Sequence, residues 1–382
     1  MVRVAMVVTN ACAPDPRVMR HAVWMHEAGY DVTVHAFDRD QSSPMSENHQ
    51  GVRIMRYHLG TTPYGGTWRT YQGIRRFQRQ VIRTLLNEPP ALVYCHDADT
   101  LRVGMEIKTA CGVPFVFDMH DLQHTWVRFA SPQSTIRAMV ANRMKNRMLR
   151  RSQAASVIIT SSGKTDASAN PGFVEWLAHH DRHASVVENR PSPPFGPEKT
   201  KQGDPWTVGF IGRVRDKQAI SSLVAAVRTL PPHNRPSLRI AGDGVAAAGV
   251  RSMLMSLVEA GELEAHVSGS FTQQELPEMI AGIDVMFAMY APQRGNIMQG
   301  ALPVKMFDAA AQGVPSVVND GCLMGDVAIE EGLGCTATWG DTDSIANALV
   351  EAKKMVVALD ITGERERKRW MDAMTPVLET LQ

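Results

Sequence analysis

Lys305 and Asp308 lie three residues apart in the stretch 302–318, LPVKMFDAAAQGVPSVV. Pro303 sits where a first-turn proline is tolerated. Met306, Phe307, Ala310 and Ala311 recur at helical spacing, and Gly313 stops the run before Pro315 starts a strand. A helix opened in this way points unpaired backbone N–H groups and a lysine at whatever lies outside the sheet, and an anion fits there. Asp308, one turn on, can accept hydrogen bonds from a sugar diol while the N–H groups hold a phosphate. The pair fits a nucleotide.

Two further strand ends share this chemistry. TVGFI is followed by Gly212, Arg213 and then Lys217 before a helix. A glycine that frees the backbone and two cations at a strand exit suit a diphosphate, or else form a solvated rim. After the next strand, Ala241-Gly242-Asp243-Gly244 is a tight turn in which the glycines allow positive φ and Asp243 bonds its own backbone; alone it is only a turn. In the first half, His120 ends an apolar strand and precedes Asp121, and His96, Asp97 and Asp99 form a similar strand-end cluster. A histidine so placed is either a satisfied structural residue or a ligand contact. Arg17 either reaches a ligand or packs at a helix N-terminus behind Asp15 as N-cap. Asp97-Ala98-Asp99 fits an Asp-x-Asp metal motif, but the same spacing recurs at Asp38-Arg39-Asp40 and Asp341-Thr342-Asp343 and so discriminates little.

These residues need a scaffold, and 382 residues allow two domains of roughly 150–200 residues each. A formal charge of +1 with 21% charged residues gives no global signal for a polyanion, so no nucleic-acid partner is expected. The five cysteines are scattered, without a Cys-x-x-Cys pair or zinc spacing, and read as buried small apolar residues in a reducing compartment. The opening MVRVAMVVTNA is too soon interrupted for a secretory signal, and no apolar run reaches transmembrane length. A cytoplasmic protein is expected, with peripheral contact to a membrane surface left open.

Strands are expected over 2–9, 31–37, 52–58, 92–97, 115–120, 156–161 and 186–189, alternating with helical patterns such as 18–28. The first is near-continuously apolar, as a strand covered on both faces should be. The segment 190–205, RPSPPFGPEKTKQGDP, reads as a connector. A second series follows, with strands over 207–211, 238–241, 266–268, 285–290, 316–318 and 335–338. Its helices are expected over 219–230, 249–260, 273–281 and 342–354, besides the one that carries Lys305. A charged helix over 364–374 should stop or kink before Pro376 and does not look like material that covers a sheet. The expected fold class is α/β, two Rossmann-like doubly wound domains facing a central cleft. Their bounds are 1–190, joined by the terminal segment 364–382, and 191–363.

In this order and at these intervals, GFIGRVRDK, RIAGDG, VSGSFTQQELPEMIAGIDVMF and LPVKMFDAAAQGVPSVV resemble the donor domain of GT-B fold glycosyltransferases of the retaining family-4 kind (glycosyl transferases group 1). ACAPDPRVMRHAVWMHEAGYDVTVHAF, VPFVFDMHDL, AASVIITSS and VVENRP resemble the acceptor domain of the same group, and 53–87 is the least matched region. The resemblance implies transfer of a sugar, of the hexosyl class, from a UDP- or GDP-sugar to a small-molecule or glycan acceptor, with retention. It implies no cofactor beyond that co-substrate and no catalytic metal.

Carried residue by residue, it implies that Arg213 and Lys217 bind the diphosphate and stabilise the leaving group, although they stand four apart here where the family spaces them by five. Gly212, Gly242, Asp243 and Gly244 would line the donor site, with Ser270 and Phe271 near the base. Asp308 falls on the second glutamate of the family's paired glutamates, and Gly300 on the first, so that one is missing. Pro303, Lys305 and Asp308 match the Pro-x-Lys-x-x-Glu subgroup instead. Backbone N–H groups of Val304 and Lys305 would meet the distal phosphate, and Asn296 to Gly300 would face the sugar. His120 would point beside the donor sugar as a catalytic residue, with Arg17, His96, Asp97 and Asp121 on the acceptor side. The helix around Arg369 and Trp370 resembles the family's closing helix.

Two rival readings share this architecture, a sugar-nucleotide epimerase and a non-catalytic nucleotide-sugar-binding protein. Two basic stretches remain outside all three. Arg69, Arg75, Arg76, Arg79 and Arg83 fall in one helical pattern, and Arg137, Arg143, Lys145, Arg147, Arg150 and Arg151 in another. Each reads either as a solvated face or as a face that docks on anionic lipid. The base, the sugar, the acceptor and the oligomeric state are not written in the sequence.

Overall fold

The alternation of apolar runs and helical patterns produces two sheets in the computed structural model, which describes residues 1–13, 15–63, 68–129, 131–191 and 205–381. Most of the proline-rich connector expected over 190–205 lies outside the described residues. The first sheet takes β1 (Arg3–Val8), β2 (Asp31–Ala36), β3 (Ser46–His49), β4 (Val52–Arg56), β5 (Leu92–His96), β6 (Phe115–Met119), β7 (Val157–Thr160) and β8 (Ser185–Val186). Their order is β3-β4-β2-β1-β5-β6-β7-β8. Every pairing is parallel except β3 with β4. The second sheet takes β9 (Thr207–Ile211), β10 (Ser237–Ala241), β11 (Ala265–Ser268), β12 (Val285–Phe287), β13 (Ser316–Asn319) and β14 (Gly334–Ala337). It is parallel throughout, in the order β11-β10-β9-β12-β13-β14.

These are the doubly wound parallel sheets that the sequence implies. In each, the chain order reverses beside the first strand: β1 lies between β2 and β5, and β9 between β10 and β12. Loops leaving the carboxyl ends of strands on either side of such a point diverge and leave a crevice, where open α/β sheets bind ligands.

β3 escaped the sequence reading because Ser46–His49 is wholly polar and mostly exposed. It is an antiparallel edge strand joined to β4 through Gln50 and Gly51, both at positive φ (49° and 80°), the conformation of a tight two-residue hairpin. A solvated edge has no apolar face to betray it. The cysteines also need a correction. Cys12, Cys95 and Cys322 are buried, Cys335 is partly so, and Cys111 is exposed.

The terminal helix departs most from expectation. It runs from Glu364 to Leu378 straight through Pro376. Trp370, Ala373, Met374, Val377 and Leu378 recur on one face and pack into the core that contains Val4, Met6, Val8, Val34 and Tyr94. A proline this near a helix end removes one hydrogen bond, and the burial of a five-residue apolar face outweighs that loss.

The chain forms two compact units. One comprises Met1–Ser162, Phe173–Glu188 and Glu366–Gln382; the other comprises Gly163–Gly172 and Asn189–Arg365. The short segment 163–172 therefore groups with the second sheet. It is tied there by Asn170, whose backbone N–H and side-chain amide donate to Asp326 at 2.9 and 3.1 Å, and by Thr165, which donates to Glu330.

Because Trp370 is fully buried and its indole N–H donates to Tyr94 Oη at 3.3 Å, Trp370→Ala should destabilise the first unit by about 3–5 kcal/mol. Urea unfolding followed by circular dichroism measures this. A loss under about 1 kcal/mol would mean that the helix only rests on the surface.

Candidate functional site

In the second unit the loops that leave β9 and β10 are laced together by their backbones. Gly212 N–H donates to Ala241 O at 2.9 Å and Val214 N–H to Asp243 O at 2.9 Å. Gly242 must be glycine here. Its φ is +136°, and a Cβ on it would stand 1.9 Å from Gly212 O. Asp243 accepts from Gly244 N–H at 2.7 Å, the self-capped turn read from AGDG.

Lys305, on the helix Val304–Ala310 that follows β12, reaches back over this lacing. Its Nζ lies 3.4 Å from the centre of the Phe210 ring, 5.5 Å from that of Tyr290, and 3.6 Å from where a Cβ on Gly212 would be. The ammonium is buried and, among the described residues, has no hydrogen-bond partner. Burial, with Arg294 adding repulsion and Asp308 opposing, lowers the lysine to about 7. Asp308, buried one turn along, is raised by burial to about 7 against the pull of Lys305. A buried cation without a hydrogen-bond partner is costly, and it gains most from an anion delivered beside Gly212.

Arg294 lies 4.7 Å above the Tyr290 ring, whose hydroxyl is pushed up to about 12 chiefly by burial. Arg215 acts on the same hydroxyl. Neither arginine was singled out from sequence. The signal in the sequence is the second cation of Arg213-Val214-Arg215. Arg213 itself is exposed. Lys217 opens the helix Lys217–Thr229, and its stem lies over Gly249 in a surface cavity of about 580 Å³ that also takes in Ser221 and Met253. Asn296 is buried; Ser270 and Val304 are exposed, and Phe271 packs on the core beneath the Lys305 helix.

Gly300 explains its own lack of a side chain. Its φ is +103°, and a Cβ there would stand 2.5 Å from both Gly172 Cα and Pro171 O. The segment 163–172 fills the place where a glutamate side chain would start.

In the first unit the two strand-end clusters meet. His120 Nε2 lies 3.2 Å from Asp97 Oδ2, with both side chains partly exposed. Asp97 turns out of β5 at φ +65°, a conformation that costs a non-glycine residue energy. Burial first, and then Asp99, Asp121 and Asp118, raise its carboxyl well above the usual range. Asp99 accepts from Thr9 Oγ1 at 2.5 Å, and Asp121 accepts from the Trp126 indole N–H at 2.5 Å. Asp97, Asp121 and His120 are thus brought together.

Arg17 and His96 lie deeper, and their expected place on the acceptor side needs correcting. Arg17 is 5% exposed. Its guanidinium donates to Asp118 Oδ1 at 2.5 Å and Oδ2 at 2.9 Å, and to Val187 O at 2.7 Å. His96 Nδ1 lies 2.9 Å from Asp118 Oδ2. Asp15 caps the helix Pro16–Glu27 by accepting from Val18 N–H, as expected. Burial alone would raise Asp118, but Arg17 and the hydrogen bond from His96 hold it well below the usual carboxylate range. Sequence reasoning missed Asp118, although an acid inside the buried run FVFDM was a signal that a counter-charge must lie nearby. His21, His96 and Asp118 are the one group among the described residues whose ligand atoms could converge on a metal, but the Arg17 guanidinium already faces that carboxylate.

Both strand-end sites sit where each sheet reverses its order, on the two halves of one chain. Residues 13–169 match the family model described as a glycosyl transferase 4-like domain. Residues 205–355 match that of glycosyl transferases group 1. The chain belongs to the GT-B glycosyltransferases. No curated protein matches this glycosyltransferase. Sucrose-phosphate synthase from Thermosynechococcus elongatus resembles it in structure with a TM-score of 0.70 at 14% identity, over 100% of this chain and 97% of that one. HepE from Anabaena, solved in complex with UDP and glucose, gives 0.62 at 15% identity over 100% and 99%. The lipopolysaccharide outer core galactosyltransferase WaaB gives 0.60 at 13% over the full length of both. These likenesses show the shared fold. Among the described residues no helix is long and apolar enough to cross a membrane.

Replacing Arg17 leaves Asp118 charged and buried without its main partner, so Arg17→Met should cost about 3–5 kcal/mol at pH 7 in urea unfolding. The stability that Asp118 contributes is present above its unfolded value near 3.8 and is lost as pH falls through its lowered folded value. The variant should therefore lose less stability than the parent between pH 5 and pH 3. An unchanged acid limb would show that the pair does not carry this term.

Proposed function

We propose that this glycosyltransferase moves a hexosyl group from a UDP- or GDP-sugar to a hydroxyl on a small molecule or glycan, with retention at the anomeric carbon. The observation that carries the reading is Lys305, a buried ammonium held over Gly212 with no hydrogen-bond partner among the described residues. In this reading the diphosphate lies along 212–213 and beneath 242–244. Arg213, Arg215 and Lys305 balance its charge, and Lys217 adds to the field from the next turn. These fixed cations take the place of a metal as the leaving group's charge develops. Asp308 accepts from the ribose, and residues 294–300 read the sugar. Support for a uridine nucleotide comes from the similar fold solved with UDP and glucose.

The first unit would hold the acceptor, with Asp97 positioning His120 as the group that meets it. The acceptor oxygen attacks from the face that the diphosphate leaves, and its proton passes to the departing phosphate oxygen. No protein nucleophile is required. Gly300 also favours a second reading, a nucleotide-sugar-binding protein without turnover, because the position that would read the sugar has no side chain and no room for one.

A thermal-shift panel of UDP, GDP, dTDP and ADP sugars should single out one donor. At 100 times its dissociation constant that donor adds about 2.7 kcal/mol to the folded state. With that donor and an acceptor, Arg213→Ala should reduce turnover by about 100-fold or more while leaving the fold intact. An isomerised donor formed without acceptor would establish an epimerase, and an inverted anomer would overturn retention. Binding without turnover across a broad acceptor panel would favour the silent reading.

Lys305 adds a pH signature. Free, it gives up its proton near pH 7, whereas a bound diphosphate favours the ammonium. Binding above pH 7 should therefore take up a proton, and affinity should fall by up to tenfold per unit as pH rises. Calorimetry in buffers of different ionisation enthalpy reads that proton. Lys305→Met should remove both the uptake and the slope, and an equal slope in the variant would sink the assignment.

A further inference from the structure

The helix Thr135–Ser152 contains five arginines and one lysine and no acid; the helix Trp68–Asn87 contains five arginines and no acid. The chain as a whole is nearly neutral at +1, so this charge is segregated. Among the described residues none of these cations takes part in an ion pair. Arg137 and Arg76 donate to the backbone carbonyls of Val127 and Leu59.

The same helices also expose apolar side chains. Ile136, Met139 and Val140 fall on one side of the first two turns of the Thr135–Ser152 helix, and Arg143, Arg147 and Arg150 continue that same side. Ile136 is 73% exposed and Met139 69% exposed, with Val140 and Met144 also open. The other helix begins with Trp68, 68% exposed, stacked on Tyr71 at 5.3 Å, with Arg75 over the Tyr71 ring. The two helices are close enough for Arg75 of one to act on Arg151 of the other. Arg151 is lowered by burial and then by repulsion from Arg147, Arg102 and Arg75, with Glu106 the opposing acid. Arg102 already pairs with Glu106 at 2.5 Å.

We propose that this face docks on an anionic lipid bilayer, with Ile136, Met139 and Val140 entering the headgroup–acyl boundary and the arginines behind them lying on the phosphates. Two features select lipid. A face without acids complements a negative surface, as it also would a nucleic acid or an acidic protein. Exposed methionine and isoleucine at the tip gain nothing from a polyanion in water, but they gain transfer free energy at a bilayer. The placement is also useful to the acceptor side. The helix Gln123–Phe129 begins just after His120 and Asp121, and Arg137 clamps it through Val127 O at 3.0 Å, so the docking helix is tied to the loop that carries His120. The inference does not depend on which sugar is moved.

Co-sedimentation of the full chain with vesicles tests it. Mixed phosphatidylglycerol–phosphatidylcholine vesicles should carry the protein down at low salt, pure phosphatidylcholine should not, and added salt should release it. Arg143→Gln/Arg147→Gln/Arg150→Gln should weaken binding on the order of 100-fold, as expected for three cations lost from the surface. Ile136→Ser/Met139→Ser keeps every charge and should also weaken binding, most visibly in salt. All five positions are at least partly exposed, and an unchanged melting midpoint checks that the variants fold. No sedimentation, equal sedimentation on both vesicles, or variants that bind like the parent would each overturn the proposal. So would capture on an RNA homopolymer without binding to vesicles.

Discussion

Asp118 is an ionised carboxylate on a strand buried from both sides, and much of the first unit can be read as the means of keeping it charged. Taking a carboxylate out of water costs several kcal/mol unless cations and hydrogen bonds surround it. Arg17 supplies the charge from the first helix, and His96 supplies a hydrogen bond from the neighbouring strand. His21 stands 3.6 Å away and is itself held by Tyr94, which accepts from Trp370 of the terminal helix. The same guanidinium holds Val187 at the end of the sheet. One desolvated charge thus fixes the relative positions of the first helix, two central strands, the last strand and the chain's final helix. The loops that present Asp97 and His120 leave from those two central strands.

The second unit treats a buried charge in the opposite way. Lys305 has rings beneath it, Arg294 repelling it and a carboxylate that is itself pushed towards neutrality. Where Asp118 is matched, Lys305 is left short, and the proposed donor site rests on that difference. The laced glycine loops serve this end. Without side chains at 212 and 242 the backbone comes within reach of whatever the ammonium holds. The segment 163–172 then closes off the space at Gly300, so in the proposed reading the side chains that meet a sugar come from 294–299.

Charge is also sorted on the outside. Two helices on the first unit carry cations without acids, one of them beginning in an exposed apolar tip. A protein that needed only solubility would intersperse both signs.

How far the sequence reached depended on whether a feature was local. Apolar runs bounded by glycine and proline located the parallel strands to within a few residues, because a strand covered on both faces must be apolar along its length. The strand-end glycines and Lys305 were legible for the same reason, since backbone freedom and a helix start are written in adjacent residues. The polar edge strand Ser46–His49 has no apolar face and left no trace. Pro376 argued for a helix end by a local rule, yet the packing of Trp370 and its neighbours against β1 overrode it. Whether Arg17 reaches a ligand or packs inside, and whether His96 opens on a site, could not be read locally; both are held by Asp118 once the fold closes. The sequence by itself determined the two doubly wound sheets, the order of their elements along the chain and the strand-end loops of the proposed site. Tertiary structure alone decided which buried charges are matched and which are not, because the cost of a buried charge depends on what surrounds it in space.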